Sequence, residues 1–380
     1  MAFGMLRALF GTPEKTTPRA AASAPSESSF VAFITAVEQA HFLTADQNFE
    51  SDLASMRLRV GLPARELAKR VPVCLVPLDH VRYDPALTSL GDVSAIVVGK
   101  CPVSFFTQQR ERANALVEWI ESAATRYRVV VDFSDDLAAA GAMFSEPALV
   151  DFQKRLLGAC HATVPTTALK ERLMPCARHG ISVIEDPYES ERAGEPRLAP
   201  GAVLRLAWFG VFAAPLRPFV EAELAAIARR LTDKPTELAF VTHASQAALV
   251  AAMANALREA NPQFSVRHVP WSVQATAEAL AGADIAVLPQ DAESDWGRVK
   301  SHNRLVETIR AGRYAVASPI PAYLELADYA GVGADLAAEI EWALANRDPA
   351  VQRIVEGQSY VAQRFAPARI ADEWARVLEL

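Results

Sequence analysis

The runs "ADIAVLPQ" (283–290) and "RVKSHNRLVETIRAGRYAVASPIP" (298–321) decide how the chain is read. An apolar strand-like run is followed by a polar loop, a helical stretch "HNRLVETIRAG" and a second β-branched run, "YAVASP" (314–319). Strands that are apolar throughout and separated by helices belong to a parallel sheet covered on both faces. Lys300, Ser301, His302, Asn303 and Arg304 gather where that helix starts, with Glu307 one turn further in. Free N–H groups and the positive end of the helix dipole favour phosphate oxygens there, with Lys300 adding full charge, while a carboxylate at Glu307 can accept hydrogen bonds from sugar or ribose hydroxyls. The alternative is that Ser301 caps the helix and Glu307 pairs with Arg304 or Arg310.

The same alternation extends outward in both directions. Strand patterns fall at 30–36, 71–78, 93–99, 127–133, 162–166 and 181–187, then at 204–210, 236–243 and 264–271, with helical stretches between them. Residues 188–203, "YESERAGEPRLAPGAV", break the pattern with two prolines, two glycines and no periodicity, and read as a linker. The expected organisation is a tail over 1–29, an α/β domain over 30–190, a linker over 191–203, a second α/β domain over 204–357 and C-terminal helices over 358–380 that pack back on the first domain. The fold class is α/β: two tandem Rossmann-like, doubly wound parallel-sheet domains with a helical tail. Ligands of such sheets bind beyond the carboxyl ends of the strands, and the cleft between two such domains is the expected site.

A length of 380 residues suits two domains, and 51% hydrophobic with 22% charged residues suits a soluble globular chain. A net charge of −7 argues against a general nucleic-acid binder. The first 29 residues are rich in Ala, Ser, Pro and Thr and read as disordered, with a weak interfacial anchor through Met5, Leu6, Leu9 and Phe10 as the alternative. Arg57, Arg59, Arg65, Lys69, Arg70 and Arg82 face only Glu66 and Asp79 in local sequence. They read either as a solvated helix face or as a surface for an anionic acceptor or lipid headgroups. Cys74, Cys101, Cys160 and Cys176 show no CxxC spacing, which fits core thiols in a reducing cytoplasm and no structural zinc.

Gly210 ends the strand "LRLAWFG" (204–210) and lets a ligand approach the backbone, yet "GVFAAPLRP" holds one glycine and no GxGxxG, against an NAD-linked enzyme. Trp271 closes the next strand but one, either as a platform for a nucleobase or as a core side chain. "VVVDFSDDL" puts Asp132, Asp135 and Asp136 at a strand's carboxyl end, where carboxylates orient sugar hydroxyls, act as a base or cap the next helix, Asp135 being the N-cap candidate.

The second half, through "LRLAWFG", "VPW", "ADIAVLPQ" and "KSHNRLVETIRAGRYAVASPIPAYLEL", resembles the donor domain of GT-B-fold glycosyltransferases, above all the bacterial retaining group 1. The first half resembles that group's acceptor domain through "SMRLRVGLPARELAKR" and "VPTTALKERL…ISVIEDPYE", and the likeness spans roughly 30–375. It implies transfer of a sugar from a nucleotide-sugar donor to a glycan or lipid-linked acceptor in bacterial surface polysaccharide synthesis, without metal or other cofactor. The expected setting is the cytoplasm, from the cysteines, with a peripheral contact to the inner, anionic membrane surface through the basic stretch. Donor binding then falls to Gly210, Trp271, Asp291, Lys300, Ser301, Asn303, Arg304 and Glu307, with Glu307 on the ribose and Lys300 on the diphosphate. Catalysis falls to Lys300, Asp135 and Asp136. The family places a second glutamate eight positions before Glu307, and Val299 stands there. Two other functions remain open: a nucleotide-sugar epimerase of the same fold, or a catalytically idle nucleotide-binding scaffold.

Overall fold

A computed structural model describes residues 29–47, 49–78, 83–99, 103–144, 146–212 and 216–380 of the chain. The anchor alternative at Met5, Leu6, Leu9 and Phe10, and the expectations for Asp79, Arg82 and Cys101, lie outside them. The chain divides into two compact units: one holds the residues up to Glu189 together with Ala366–Leu380, the other Ser190–Phe365.

In the first unit, β1 (Phe30–Thr35), β2 (His41–Phe42), β3 (Val73–Pro77), β4 (Val93–Val98), β5 (Arg128–Asp132), β6 (His161–Val164) and β7 (Ile181–Val183) form one sheet of order β2-β3-β1-β4-β5-β6-β7. Every neighbouring pair is parallel except β2 on β3. All of Phe30–Thr35 is buried, as expected of a strand covered by helices on both faces. The last helix, Pro367–Leu378, completes this core. Ile370, Ala371, Trp374 and Leu378 form its buried stripe and pack with Val31, Phe33, Leu75 and Val97. Each large side chain so buried contributes about 1.5–3 kcal/mol.

In the second unit, β8 (Leu204–Phe209), β9 (Thr236–Thr242), β10 (Phe264–Pro270), β11 (Ile285–Leu288), β12 (Tyr314–Ala317) and β13 (Gly331–Val332) form an all-parallel sheet of order β10-β9-β8-β11-β12-β13. The chain winds from β8 outward to β10, then returns to the other side of β8, so the topological switch point lies between β8 and β11. Trp208 stacks on Phe240 at 4.1 Å with Phe212 edge-on to both, at the centre of a core shared with Leu206, Ile285 and Val316. The two doubly wound parallel sheets read from the sequence are thus present. Among the described residues, no helix is long and apolar enough to cross a membrane.

Three expectations are corrected here. The boundary placed before residue 358 falls inside a continuous helix, Arg347–Arg364, which belongs to the second unit; only the residues from Ala366 on pack in the first. The irregular stretch over 191–203 is no loose linker. Arg313 donates to the Glu195 carbonyl at 2.8 Å and Gln358 to that of Gly194 at 2.8 Å. A Cβ on Gly194 would stand 2.2 Å from the Ala311 carbonyl oxygen, so the two backbones touch where only glycine fits.

Part of the basic stretch does not reach the surface either. Arg57 and Arg59 lie in a five-residue π-helix, Arg57–Gly61, that is buried throughout. Arg57 pairs with Glu189, and Arg59, 1% exposed, is clamped by Asp132 and Asp186. Lys69 and Arg70 are exposed, but each sits on a carboxylate, Glu66 and Asp372. Buried charges persist only when paired, and these are. Cys74 and Cys160 are buried free thiols that desolvation pushes up to about 12, as core residues rather than reactive ones; Cys176 is half-buried.

Candidate functional site

The carboxyl edge of the second sheet is assembled by short-range devices. After β11 the chain turns on Asp291, whose Oδ1 accepts the N–H groups of Glu293 at 3.0 Å and Ser294 at 3.2 Å. Ser294 then caps the short helix Asp295–Arg298 through the Gly297 N–H at 3.0 Å. A Cβ on Gly297 would stand 1.8 Å from the Asp291 carbonyl oxygen, so this turn closes only around glycine. Asp291 therefore shapes the loop with the carboxylate that was expected to meet the donor. Val299 is buried, and Lys300 follows with its Nζ 3.6 Å from the centre of the Trp296 ring, a cation–π contact that fixes the amine.

The helix Asn303–Arg310 starts two residues past Ser301. Its N-cap position is His302, which places no side-chain bond on it, so the alternative of a Ser301 cap does not hold. Leu305, Val306 and Ile309 turn inward, leaving Asn303, Arg304 and Glu307 half-buried along the other side.

Arg304 reaches the switch point itself. Its Nη2 donates to Gln290 Oε1 at 2.7 Å, just past β11, and its Nη1 to the Phe209 carbonyl at 3.5 Å, the end of β8. Gly210 comes next, with φ +153°, and a Cβ there would stand 3.2 Å from Arg304 Nη1. The Thr242 hydroxyl holds the Gly210 carbonyl at 2.9 Å. Among the described residues both bonds of Arg304 run to neutral oxygens, so its charge stays available at the place where doubly wound sheets hold ligands. Gln290 was missed in the sequence, although it is the first polar residue after the apolar run of β11.

Trp271 lies at the same edge, after β10, with its N–H on the Thr242 carbonyl at 2.9 Å. β10 is two strands from β8, roughly 10 Å at normal strand spacing, so Trp271 flanks the Arg304 group rather than joining it. Behind the helix lies a cluster that no local pattern announces. His302 Nε2 stands 3.4 Å from Glu325 Oε2, an ion-pair distance without hydrogen-bond geometry, and Arg364 bonds the same carboxylate oxygen. His302 first and Arg364 after it hold the Glu325 carboxyl down at about 2, against the burial that raises it.

In the first unit the three aspartates part ways. Asp132 turns inward to Arg59, at 2.5 and 3.1 Å, and to the Thr163 hydroxyl at 2.7 Å. Asp136 is fully buried, with Oδ1 on the Ala138 N–H at 2.9 Å and Oδ2 on Arg172 at 3.1 Å. A carboxylate with both oxygens engaged and no exposed surface is a helix cap and ion-pair partner, which corrects the catalytic expectation at Asp136. Asp135 keeps part of its surface and accepts the Ser134 hydroxyl at 3.2 Å.

No protein-family model matches the chain, and no curated protein does. Solved structures do. The Anabaena protein HepE, crystallised with UDP and glucose, is 12% identical over 93% of this chain and 100% of its own, with a TM-score of 0.61. The trehalose-6-phosphate synthase OtsA is 10% identical over 93% and 99%, with a TM-score of 0.61. WaaG, a glycosyltransferase of lipopolysaccharide biosynthesis, is 13% identical over 90% and 99%, with a TM-score of 0.59. At such identities the likeness is one of architecture: the chain has the GT-B fold, as its resemblance to that group implies.

Proposed function

We propose that the protein is a metal-independent glycosyltransferase that moves a sugar from a nucleotide-sugar donor to a glycan or lipid-linked acceptor, in bacterial surface polysaccharide synthesis. The observation that carries this is Arg304, held at the β8/β11 switch point by neutral acceptors beside a glycine. In the reaction the bond from the anomeric carbon to the diphosphate oxygen breaks as a bond to the acceptor oxygen forms, and the acceptor hydroxyl gives up its proton. Negative charge develops on the departing diphosphate. Arg304, Lys300 and the first N–H groups of Asn303–Arg310 are the groups available to stabilise it. Glu307 takes the ribose hydroxyls and Trp271 the base, while Asp135 orients the acceptor. The likeness to HepE, which was solved with UDP, makes UDP-sugars the first donors to try. A cytoplasmic location is part of the proposal, supported by the free thiols at Cys74, Cys160 and Cys176.

A thermal-shift panel of UDP-, GDP-, dTDP-, ADP- and CMP-sugars tests the reading. A ligand at 100-fold its Kd stabilises by about 2.7 kcal/mol, and no shift with any of the five sinks the donor role. Glu307→Gln should weaken UDP about tenfold to a hundredfold, or 1.5–3 kcal/mol, but leave a 2′,3′-dideoxy analogue bound as in wild type. Retention of anomeric configuration is the expected stereochemistry, read by NMR of the first product. The buried Val299 favours a second reading, an idle scaffold: it would show tight nucleotide binding with no turnover on any acceptor.

A further inference from the structure

The chain enters the second unit at Ser190 and leaves it after Phe365. Both places are tied to the Asn303–Arg310 helix. At its C-terminal end, Arg310 donates to the carbonyls of Ser190 at 3.0 Å and Glu191 at 3.2 Å. The Gly194 N–H returns a bond to the Arg310 carbonyl at 2.8 Å, and Gln358 bridges the carbonyls of both. At its N-terminal end, the His302 ring lies 5.3 Å from that of Phe365, and Glu325 joins His302 to Arg364, the residue just before it. The His302 side chain is 2% exposed, and neither of its ring nitrogens has a directed hydrogen bond among the described residues. Within the second unit, Glu325 and Phe365 are the contacts that orient it.

We propose that His302, Glu325 and Arg364 at one end, and Arg310 at the other, are positioning residues that couple the Arg304 site to both connections of the second unit. An anion held at Arg304 thereby stiffens 190–195 and 361–365 together. This rests on the reading of the Arg304 group as a diphosphate site. The physical basis is the helix itself: eight residues make a rod about 12 Å long, with internal hydrogen bonds that let neither end shift alone. Such coupling is reciprocal, so loosening a connection weakens the anion by the same factor.

Hydrogen–deuterium exchange on the full chain, with UDP as the probe, tests it. In wild type UDP should slow exchange at 303–307, 190–195 and 361–365. Glu325→Gln keeps the shape and loses the charge. There the protection at 361–365 should fall several-fold while that at 190–195 persists. Arg310→Gln should show the converse, and Arg364→Lys, which keeps the ion pair, should behave as wild type. Protection at 303–307 without any at the two connections overturns the coupling. So does an equal loss everywhere in Glu325→Gln, the mark of a merely structural role. If UDP protects nothing at 303–307, the donor-site reading fails on its own. The ligand-free comparison still decides the tie: Glu325→Gln should speed exchange at 361–365 and leave 190–195 unchanged, and unaltered exchange at 361–365 overturns it.

Discussion

Arg59 and Arg304 both reach the carboxyl ends of a parallel sheet, one in each unit, and differ in what accepts their protons. Arg59 is surrounded by Asp132, Asp186 and the Ile184 carbonyl, with the Trp374 ring 5.7 Å away, and is closed off from solvent. Arg304 is half-buried and bonds one amide oxygen and one carbonyl. The first charge is cancelled inside the protein and the second is not. Neutral acceptors alone do not mark a ligand site, as Arg313 shows. Among the described residues it too bonds only carbonyls, but Leu280, Ala281, Glu195 and Gly312 take four of its five donors, and burial first, then Arg197, pushes it down to about 10. What distinguishes Arg304 is donors to spare beside a glycine at a switch point.

The largest effect that would sharpen this contrast comes from Arg59→Met. It strands two buried carboxylates, so the first unit should lose about 3–5 kcal/mol in denaturant unfolding. A loss below about 1 kcal/mol would show that the network is dispensable and the contrast false. Arg304→Gln should do the opposite: stability close to wild type, but UDP affinity down tenfold to a hundredfold, about 1.5–3 kcal/mol, with uridine little changed in calorimetric titration. Equal losses for both ligands would mean that the guanidinium does not face phosphate.

Gly210→Ala is the next smaller perturbation. It puts a side chain at positive φ and presses a methyl on Arg304 Nη1, so a stability cost of about 1–3 kcal/mol should accompany weaker UDP binding. Unchanged affinity in that variant would separate the glycine from the site.

The smallest effect is pH-dependent. Glu325 has a folded pKa lowered to about 2. Its contribution is therefore present above its unfolded value, about 4.3, and is lost as pH falls from there toward 2. The stability gap between wild type and Glu325→Gln should hold at neutral pH and close over that window in urea titrations. A gap that persists at pH 2 would assign the effect to shape rather than charge. Partial exposure of the carboxylate keeps the gap small.

Among the described residues, eleven of the thirteen strands were legible because each is a run of apolar residues between turn signals, with a rule that puts function at its carboxyl end. β2 and β13 are two residues each, too short to leave a pattern. Gly210 and Arg304 were placed by the same logic, since strand ends and helix starts are local. What failed was long-range pairing. Arg59 meets its carboxylates 73 and 127 residues away, and Asp136 meets Arg172 36 residues on, so a cluster of cations in sequence read as a surface. The Glu325–Arg364 bond spans 39 residues and leaves no trace in either segment.

The helix Pro367–Leu378 has a consequence for how the protein is made. Trp374 and Ile370 fill the first unit's core, yet they leave the ribosome after all of Ser190–Phe365. At about 5–20 residues per second, the early segment waits on the order of ten seconds or more with Phe33 and Arg59 uncovered on that side. The second unit, continuous in sequence, is free to close during that interval. The half synthesised first is therefore the half finished last, and nascent-chain chaperones would meet the sheet of the first unit open.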